Sequence, residues 1–134
     1  MVRAILLDSI NKEIREVNLG GELSDIYNLL GEGVRCFDSV NLGGNVCMYI
    51  DDEGLLKEAY VDEDGTKHNM NGIKIRGLDQ IFMGNGLLVG TGSEGDTIDV
   101  PVVVSQVEDV VTFVEYDNPE DKPEAKMTFT ILDL

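Results

Sequence analysis

Short apolar runs separated by turn-forming residues constrain the fold of this chain more than any other feature. Residues 41–44, 51–54 and 62–65 place Gly, Asn and Asp between such runs. Glycine adopts the positive φ that tight turns require, and Asn and Asp hydrogen-bond to their own backbone. The pattern predicts successive hairpins, and therefore an α+β fold with a mostly antiparallel sheet or partly open barrel and two short helices.

Individual segments predict particular elements. Ser24 stands where an N-cap residue is expected, and apolar residues at helical spacing follow it up to Gly31, which predicts one short helix. Ser105 and Glu108 have the spacing of a capping box, which predicts a second helix over residues 106–113. Alternation predicts that Ile73 and Ile75 are buried on one face of a strand. Other strands are predicted at residues 2–7, 13–19, 34–40, 46–50, 81–83, 87–89, 97–104 and 127–132.

The length of 134 residues suits one domain, predicted over residues 1–134, with a charged surface loop at 117–126. The apolar run at the N-terminus is too short for a signal peptide or a membrane span, and no other window approaches the required length. We therefore expect a cytoplasmic protein that does not bind membranes.

Catalytic and metal-binding patterns are missing from the sequence. One histidine, His68, provides neither a catalytic triad nor, with Cys36 and Cys47, a zinc site. The two cysteines are expected to pack in the core, with a redox pair as the alternative if residues 33–40 and 46–50 form a hairpin. Residues 62–73 lack the Gly and Glu of an EF-hand loop, which leaves only weak cation binding at Asp51, Asp52 and Glu53. We expect a non-enzymatic protein without cofactor or metal.

Acidity is the strongest compositional signal. The chain has 26 Asp and Glu against 10 Lys and Arg, a formal net charge of −16, and residues 77–121 contain no Lys, Arg or His. Such a surface attracts cationic partners and disfavours direct binding of nucleic acid, although acidity that serves only solubility is the alternative. The sequence predicts a partner protein with a basic surface, bound by an acidic face of Glu94, Asp96, Asp99, Glu108, Asp109, Glu115 and Asp117.

A small cationic island interrupts the acidity. Four positive or titratable side chains fall within ten residues. They would bind an anion, and the expected anion is a small nucleotide. Glycine amides, an Asn and a Tyr would add further contacts to this ligand. Ordinary ion pairing with Asp62, Glu63 or Asp79 is the favoured alternative. The predicted ligand-binding residues are Lys67, His68, Lys74, Arg76, Asn85, Gly84, Gly86 and Tyr49.

Several segments resemble a known family. Residues 1–8, 22–27, 49–57, 84–90 and 95–100 are similar to a family of small proteins of unknown function that phages, prophages and plasmids encode. The resemblance extends to about Val114 and assigns no catalytic residue. It implies an accessory protein of a mobile element that acts on the host cell, including its defence systems.

These observations favour a binding protein over an enzyme. The leading hypothesis is that the acidic face blocks a basic surface of a host protein. The second is a sponge that sequesters a nucleotide second messenger of host immunity at the cationic island. A structural or regulatory phage protein is the third.

Overall fold

A six-stranded antiparallel sheet, the central sheet, lies at the middle of the fold. The structure is a computed structural model that describes residues 1–31, 34–54 and 57–121. The central sheet has the order β2 (Glu13–Leu19), β1 (Val2–Asp8), β9 (Gly86–Thr91), β4 (Val46–Asp51) and β3 (Phe37–Gly43), and β10 (Thr97–Ile98) pairs with the end of β9. A small sheet contains β11 (Val111–Glu115), β7 (Asn71–Ile75) and β8 (Ile81–Met83), and β5 (Tyr60–Val61) pairs with β6 (Lys67–His68). The helices are α1 (Leu23–Leu30) and α2 (Val104–Glu108).

The central sheet is covered on both faces, and two separate hydrophobic clusters result. Side chains alternate across a strand, so β1 and β9 supply apolar residues to both clusters. The cluster under α1 contains Ala4, Leu6, Leu19, Ile26, Leu30, Leu87 and Val89. The cluster beneath the small sheet and α2 contains Ile5, Leu7, Met48, Ile73, Ile75, Phe82, Leu88 and Val107. The predicted α+β class with mostly antiparallel sheets and two helices is confirmed, and the described strands form no closed barrel.

Helix α1 ends as predicted but begins earlier. Gly31 is its C-terminal cap with φ 131°, and its N–H donates to the carbonyl of Tyr27 at 3.1 Å. The N-cap is Glu22, not Ser24, because the Asp25 carboxylate accepts a hydrogen bond from the Glu22 N–H at 3.1 Å. Ser24 lies within the first turn, so its predicted capping role is wrong.

The predicted helix over residues 106–113 is also wrong. Helix α2 spans only Val104–Glu108, and its N-cap is Val103, whose N–H donates to Gln106 Oε1 at 3.0 Å. Ser105 is therefore inside the helix, and the predicted capping box does not form. The chain then becomes strand β11, in which Val111 and Phe113 pair with Ile75 and Ile73 of β7. This register lets Val111 and Phe113 pack against the core, so the apolar contacts of the strand favour it over a longer helix.

The β3–β4 hairpin separates the two cysteines. Gly44 and Asn45, with φ of 60° and 65°, form its turn, and the register of the hairpin shifts by one residue between Asn41 and Gly43. Cys47 lies opposite Asn41 near this turn, whereas Cys36 precedes β3 at the far end of the hairpin. Both are free thiols, and the exposure of Cys36 contradicts the expectation that it packs in the core. The alternative redox pair does not form either.

The turn between β1 and β2 is held by a buried carboxylate. Asp8 accepts hydrogen bonds from the N–H of Ile10 and Asn11, from the Asn11 side chain and from Arg15 Nη1, at 2.9–3.2 Å. Burial raises the pKa of Asp8, but these hydrogen bonds and the Arg15 charge outweigh it and hold the pKa below its ordinary value. The stability contributed by Asp8 is thus present above the unfolded-state pKa of about 3.9 and is lost as the pH falls through the lower folded-state value.

Parts of the sequence predictions lie outside the described residues. The strand predicted at 127–132 is one of them, and of the loop at 117–126 the structure describes the part up to Asp121, including a 3₁₀ turn at Pro119–Asp121. Among described residues, no helix is long and apolar enough to cross a membrane.

Candidate functional site

A polar cleft lies where the β1–β2 turn, the end of β4, strand β6 and the β8–β9 turn meet. Its volume is about 200 Å³. Six of its eleven lining residues have a charged, imidazole or amide side chain, and the others are a serine, two glycines and two apolar residues. The cleft is lined by Ser9, Ile10, Asp51, Gly54, Lys57, Lys67, His68, Asn69, Asn71, Met83 and Gly84.

Lys67 lies beside two carboxylates. Its Nζ lies 3.1 Å from Asp117 Oδ1 and 3.7 Å from Glu115 Oε1. The hydrogen bond to Asp117 raises the pKa of Lys67, and the hydrogen bond from Lys12 lowers the pKa of Glu115. Two members of the predicted acidic face therefore neutralise one member of the predicted ligand site. The sequence could not indicate this pairing because some 50 residues separate the partners.

His68 is held between an aromatic ring and a carboxylate. Its ring stacks on Tyr60 with 4.4 Å between centroids and 10° between planes. Its Nε2 lies 2.9 Å from Asp62 Oδ2, and this hydrogen bond lowers the pKa of Asp62. The predicted pairing of the island with Asp62 is confirmed for His68. The arrangement orients the imidazole, so an incoming anion would have to compete with Asp62.

The remaining island residues lie apart from the cleft. Lys74 is exposed on β7, and among the described residues it makes no ion pair. Arg76 follows β7, and its Nη2 donates to the backbone carbonyl of Asp109 at 2.6 Å. The structure thus divides the predicted island into two pairs: Lys67 and His68 at the cleft, and Lys74 and Arg76 on and just after β7.

Gly84 and Tyr49, two further predicted ligand residues, lie in different places. Gly84 lines the cleft, but its N–H already donates to the carbonyl of Asn71 at 2.9 Å. Tyr49 belongs to the cluster under α1, on the other face of the central sheet, and its hydroxyl lies 3.0 Å from Thr97 Oγ1. Tyr49 therefore does not face the cleft.

Asn85 and Gly86 have structural roles. Asn85 Oδ1 accepts hydrogen bonds from the N–H and Oγ of Ser9 at 3.0 and 3.3 Å, which fixes the end of β1 beside the start of β9. Gly86 is buried in β9, where a Cβ would lie 3.0 Å from Met48 Sδ. The amide of Asn85 and the backbone of Gly86 thus serve packing between strands.

The predicted acidic face is distributed over three places. Glu94 and Asp96 are exposed at the turn between β9 and β10, and near them Asp99 Oδ1 accepts a hydrogen bond from the Arg3 N–H at 2.8 Å. Glu108 and Asp109 are exposed at the C-terminal end of α2. Across the described ranges, no Lys, Arg or His forms an ion pair with the carboxylates of Glu94, Asp96, Glu108 and Asp109. The third place is the cluster of Glu115 and Asp117 around Lys67.

The cations of the protein are largely neutralised by its own carboxylates. Of the eight Lys and Arg within the described residues, five form ion pairs: Arg3, Lys12, Arg15, Lys57 and Lys67. Exposed ion pairs contribute little stability, with a median of about 0–1 kcal/mol each. Their consequence is electrostatic, because they leave the excess carboxylates to set the sign of the surface field.

The sequence did not identify several cleft residues. The sequence indicates Asp51 only as a weak cation ligand, but in the structure Asp51 is buried and its Oδ2 lies 2.5 Å from Lys57 Nζ. Ser9 is fully buried, and a polar residue directly after an apolar strand was its one signal. In residues 1–31, 34–54 and 57–121, no three His, Cys, Asp or Glu residues are grouped so that they could hold a metal ion.

The fold and these surfaces define a small acidic α+β protein with a polar cleft. The chain belongs to the family described as "Domain of unknown function (DUF3846)", whose model matches residues 2–112. No curated protein and no solved structure matches the chain. The matched region covers α1, α2 and ten strands, together with the cleft residues, and it ends within β11, before Glu115 and Asp117.

Proposed function

We propose that the protein is a non-enzymatic accessory protein of a phage or related mobile element that blocks a basic surface of a host protein, in particular one that acts in host defence. The observation that carries the proposal is the state of its charges. Glu94, Asp96, Glu108 and Asp109 are exposed and unpaired within the described part of the chain, whereas most cations are neutralised internally. The sequence resemblance to a family of mobile elements supplies the host setting.

The geometry suits recognition by charge. The β9–β10 turn and the C-terminal end of α2 each carry two exposed carboxylates within three residues of one another. Complementary potentials accelerate encounter and select the partner, and their effect falls as salt screens them beyond a Debye length of about 8 Å at physiological ionic strength. The partner is expected to be a protein with clustered Lys and Arg.

The test is neutralisation of the four carboxylates. The variant Glu94→Gln, Asp96→Asn, Glu108→Gln, Asp109→Asn is expected to bind its partner about tenfold more weakly or worse, and with a smaller salt dependence, because each lost charge removes attraction to the basic surface. Partners are captured from host lysate on the immobilised parent protein and identified by mass spectrometry, and the dissociation constant is then measured over a salt series.

A matched control removes the same charge elsewhere. Asp38→Asn, Asp52→Asn, Glu63→Gln and Asp64→Asn neutralise four exposed carboxylates outside the proposed surface. If only the net charge matters, both variants lose affinity equally, and the proposed surface is then wrong. An affinity that is unchanged between low and high salt would exclude the charge-based mechanism altogether.

A second candidate function is supported by the polar cleft. Lys67, His68 and Gly84, all predicted ligand residues, line it together with Lys57 and Asn71. We propose as the alternative that the cleft sequesters a small nucleotide second messenger, with Lys67 exchanging Asp117 for a phosphate. Charge-assisted hydrogen bonds to phosphate are the strong contacts that an anionic protein would need.

Calorimetric titration separates the two functions. Cyclic dinucleotides and cyclic ADP-ribose-type molecules are titrated into the parent, Lys67→Gln and the control Lys74→Gln. Loss of one charged hydrogen bond is expected to weaken binding about tenfold or more in Lys67→Gln, with Lys74→Gln equal to the parent. No heat from the parent over this panel would discard the sponge and leave the acidic surface as the proposed function.

A further inference from the structure

An apolar groove separate from the polar cleft lies between the β3–β4 turn, the end of β7 and α2. Its volume is about 370 Å³, at the small end of the range for ligand sites. Eight of its twelve lining residues are aliphatic, two are glycines, and the other two are Gln106 and Arg76. Four of the aliphatic residues are buried and form the base of the groove: Val46, Ile75, Leu88 and Val107. A ligand in the groove would therefore contact mainly hydrocarbon.

Arg76 is the one charged residue in the wall that the described residues form. Its backbone N–H donates to the carbonyl of Val110 at 2.8 Å, and its Nη2 donates to the carbonyl of Asp109 at 2.6 Å. These bonds hold the guanidinium beside Val110, which also lines the groove. Within the described ranges Arg76 forms no ion pair with a carboxylate. A guanidinium has five N–H donors, so donors remain for an anionic group of a ligand.

The neighbouring acidic residues do not line this groove. Glu108 lines a different pocket, together with Lys12 and Arg15, and Asp109 contacts Arg76 through its backbone carbonyl. The net charge of −16 repels an anion at long range, but salt screens this repulsion beyond a Debye length of about 8 Å at physiological ionic strength. A charge-assisted hydrogen bond to a guanidinium acts at contact. The charge that a ligand meets in the wall itself is that of Arg76.

The wall also distinguishes between classes of ligand. A peptide brings backbone N–H and carbonyl groups that need partners, but Gln106 Oε1 already accepts from the Val103 N–H and the Gly43 N–H already donates to Asn41 Oδ1. No aromatic side chain is among the lining residues that the structure describes, so a nucleobase finds no stacking face. A hydrocarbon chain needs neither kind of contact, and one anionic end would complement Arg76.

We infer that the groove binds a single-chain carboxylate of the fatty-acid class, with the chain on the aliphatic wall and the carboxylate on the guanidinium of Arg76. Burial of the chain supplies hydrophobic stabilisation, and the paired charges select an acid over an alcohol or an amine. The inference goes beyond the proposed function, because it gives the protein a small apolar ligand and requires no partner protein.

Three ligands with the same chain test the inference: decanoate, decanol and decylammonium, each below the concentration at which it forms micelles. Calorimetry with the parent is expected to give about tenfold or more tighter binding of decanoate than of decylammonium. In Arg76→Gln this ratio is expected to fall to about one or below, with decanol unchanged. The control Lys74→Gln removes an exposed positive charge outside the groove and is expected to keep the parent's ratio. Equal loss of the ratio in both variants would mean that net charge sets the preference, and the inference would be wrong.

A map of the binding surface in the unmodified protein guards against a folding artefact. Decanoate is expected to shift the NMR signals of the Gly43, Gly44, Val107 and Val110 amides and of the Arg76 side chain. Shifts confined to residues outside the groove overturn the inference, whatever the variants do.

The remaining outcomes assign the groove to another occupant or to none. No binding of decanoate by the parent overturns the inference, as does equal binding of all three ligands. A peptide with a C-terminal Leu that shifts the groove signals when decanoate does not would assign the groove to a protein terminus. A dimer of the free protein that disappears in Leu42→Ser would assign it to a second copy. The capture of a basic partner tests the proposed function separately, so either idea can fail alone.

Discussion

Replacement of Ile73 by alanine is expected to lower the free energy of unfolding by about 2 to 5 kcal/mol. Ile73 is fully buried in β7 and belongs to the cluster that joins the small sheet to the central sheet, with Met48 and Phe82 among its members. Truncation removes apolar contacts and leaves a cavity that the paired strands on either side cannot close by moving together. Equilibrium urea unfolding monitored by circular dichroism measures the loss.

The matched control is the same truncation at an exposed isoleucine. Ile98 is 40% exposed in the short strand β10, so Ile98→Ala is expected to change the free energy of unfolding by less than about 1 kcal/mol. Equal losses for the two variants would mean that the small sheet is not packed on the central sheet as described. A change in the urea dependence for Ile73→Ala alone would indicate either a change in the compactness of its native or denatured state or the loss of two-state unfolding.

Gly90→Ala is expected to be the most damaging single-atom addition in the central sheet, with a loss of about 1 to 3 kcal/mol or more. A Cβ at Gly90 would overlap the carbonyl oxygen of Asp99 and lie 3.0 Å from both the Asp99 carbonyl carbon and Ile98 Cγ1. Backbone cannot rotate away as a flexible side chain can, so β10 would have to leave the edge of β9. The hydrogen bond from Val100 N–H to the carbonyl of Arg3, 2.9 Å long, would then also be disturbed.

Gly21→Ala provides the comparison for Gly90→Ala. No atom lies within 4 Å of a Cβ at Gly21, and its φ is not positive, so this variant is expected to remain within about 0.5 kcal/mol of the parent. Thermal unfolding of both variants, followed by urea unfolding at 25 °C, measures the difference. If Gly90→Ala melts with the parent, the pairing of β10 with β9 is wrong.

Local signals predicted those parts of the fold that local interactions decide. Alternation, apolar runs and capping residues predict the strands at residues 2–7 and 13–19, the helix that ends at Gly31 and the burial of Ile73 and Ile75, and all are confirmed. The region after Val103 was predicted wrongly because the same residues satisfy a helical start locally and a strand pairing with β7 at long range. Tertiary pairing decided between them.

The candidate site was less predictable than the fold. Lys67 and Arg76 are near in sequence, but Lys67 is in β6 and Arg76 directly follows β7. Because β6 and β7 belong to different sheets, the two side chains do not share one site. The partners of Lys67 are the last residue of β11 and a residue just after it, beyond the reach of any local motif. The apolar groove of about 370 Å³ between the β3–β4 turn, β7, β9 and α2 is likewise indicated by no single segment of the sequence.

The position of β1 in the central sheet has a consequence for synthesis of the protein. On one edge β1 pairs with β2 within the first nineteen residues, but on the other edge Leu7 pairs with Gly86, about eighty residues later. At about 5–20 residues per second, a ribosome needs several seconds to deliver that partner. During this interval the nascent hairpin has an open edge, and Ile5 and Leu7, which are buried in the finished fold, lack the partners that cover them. Soluble yield should therefore depend on translation rate and on chaperones at the ribosome as well as on the stability of the finished fold.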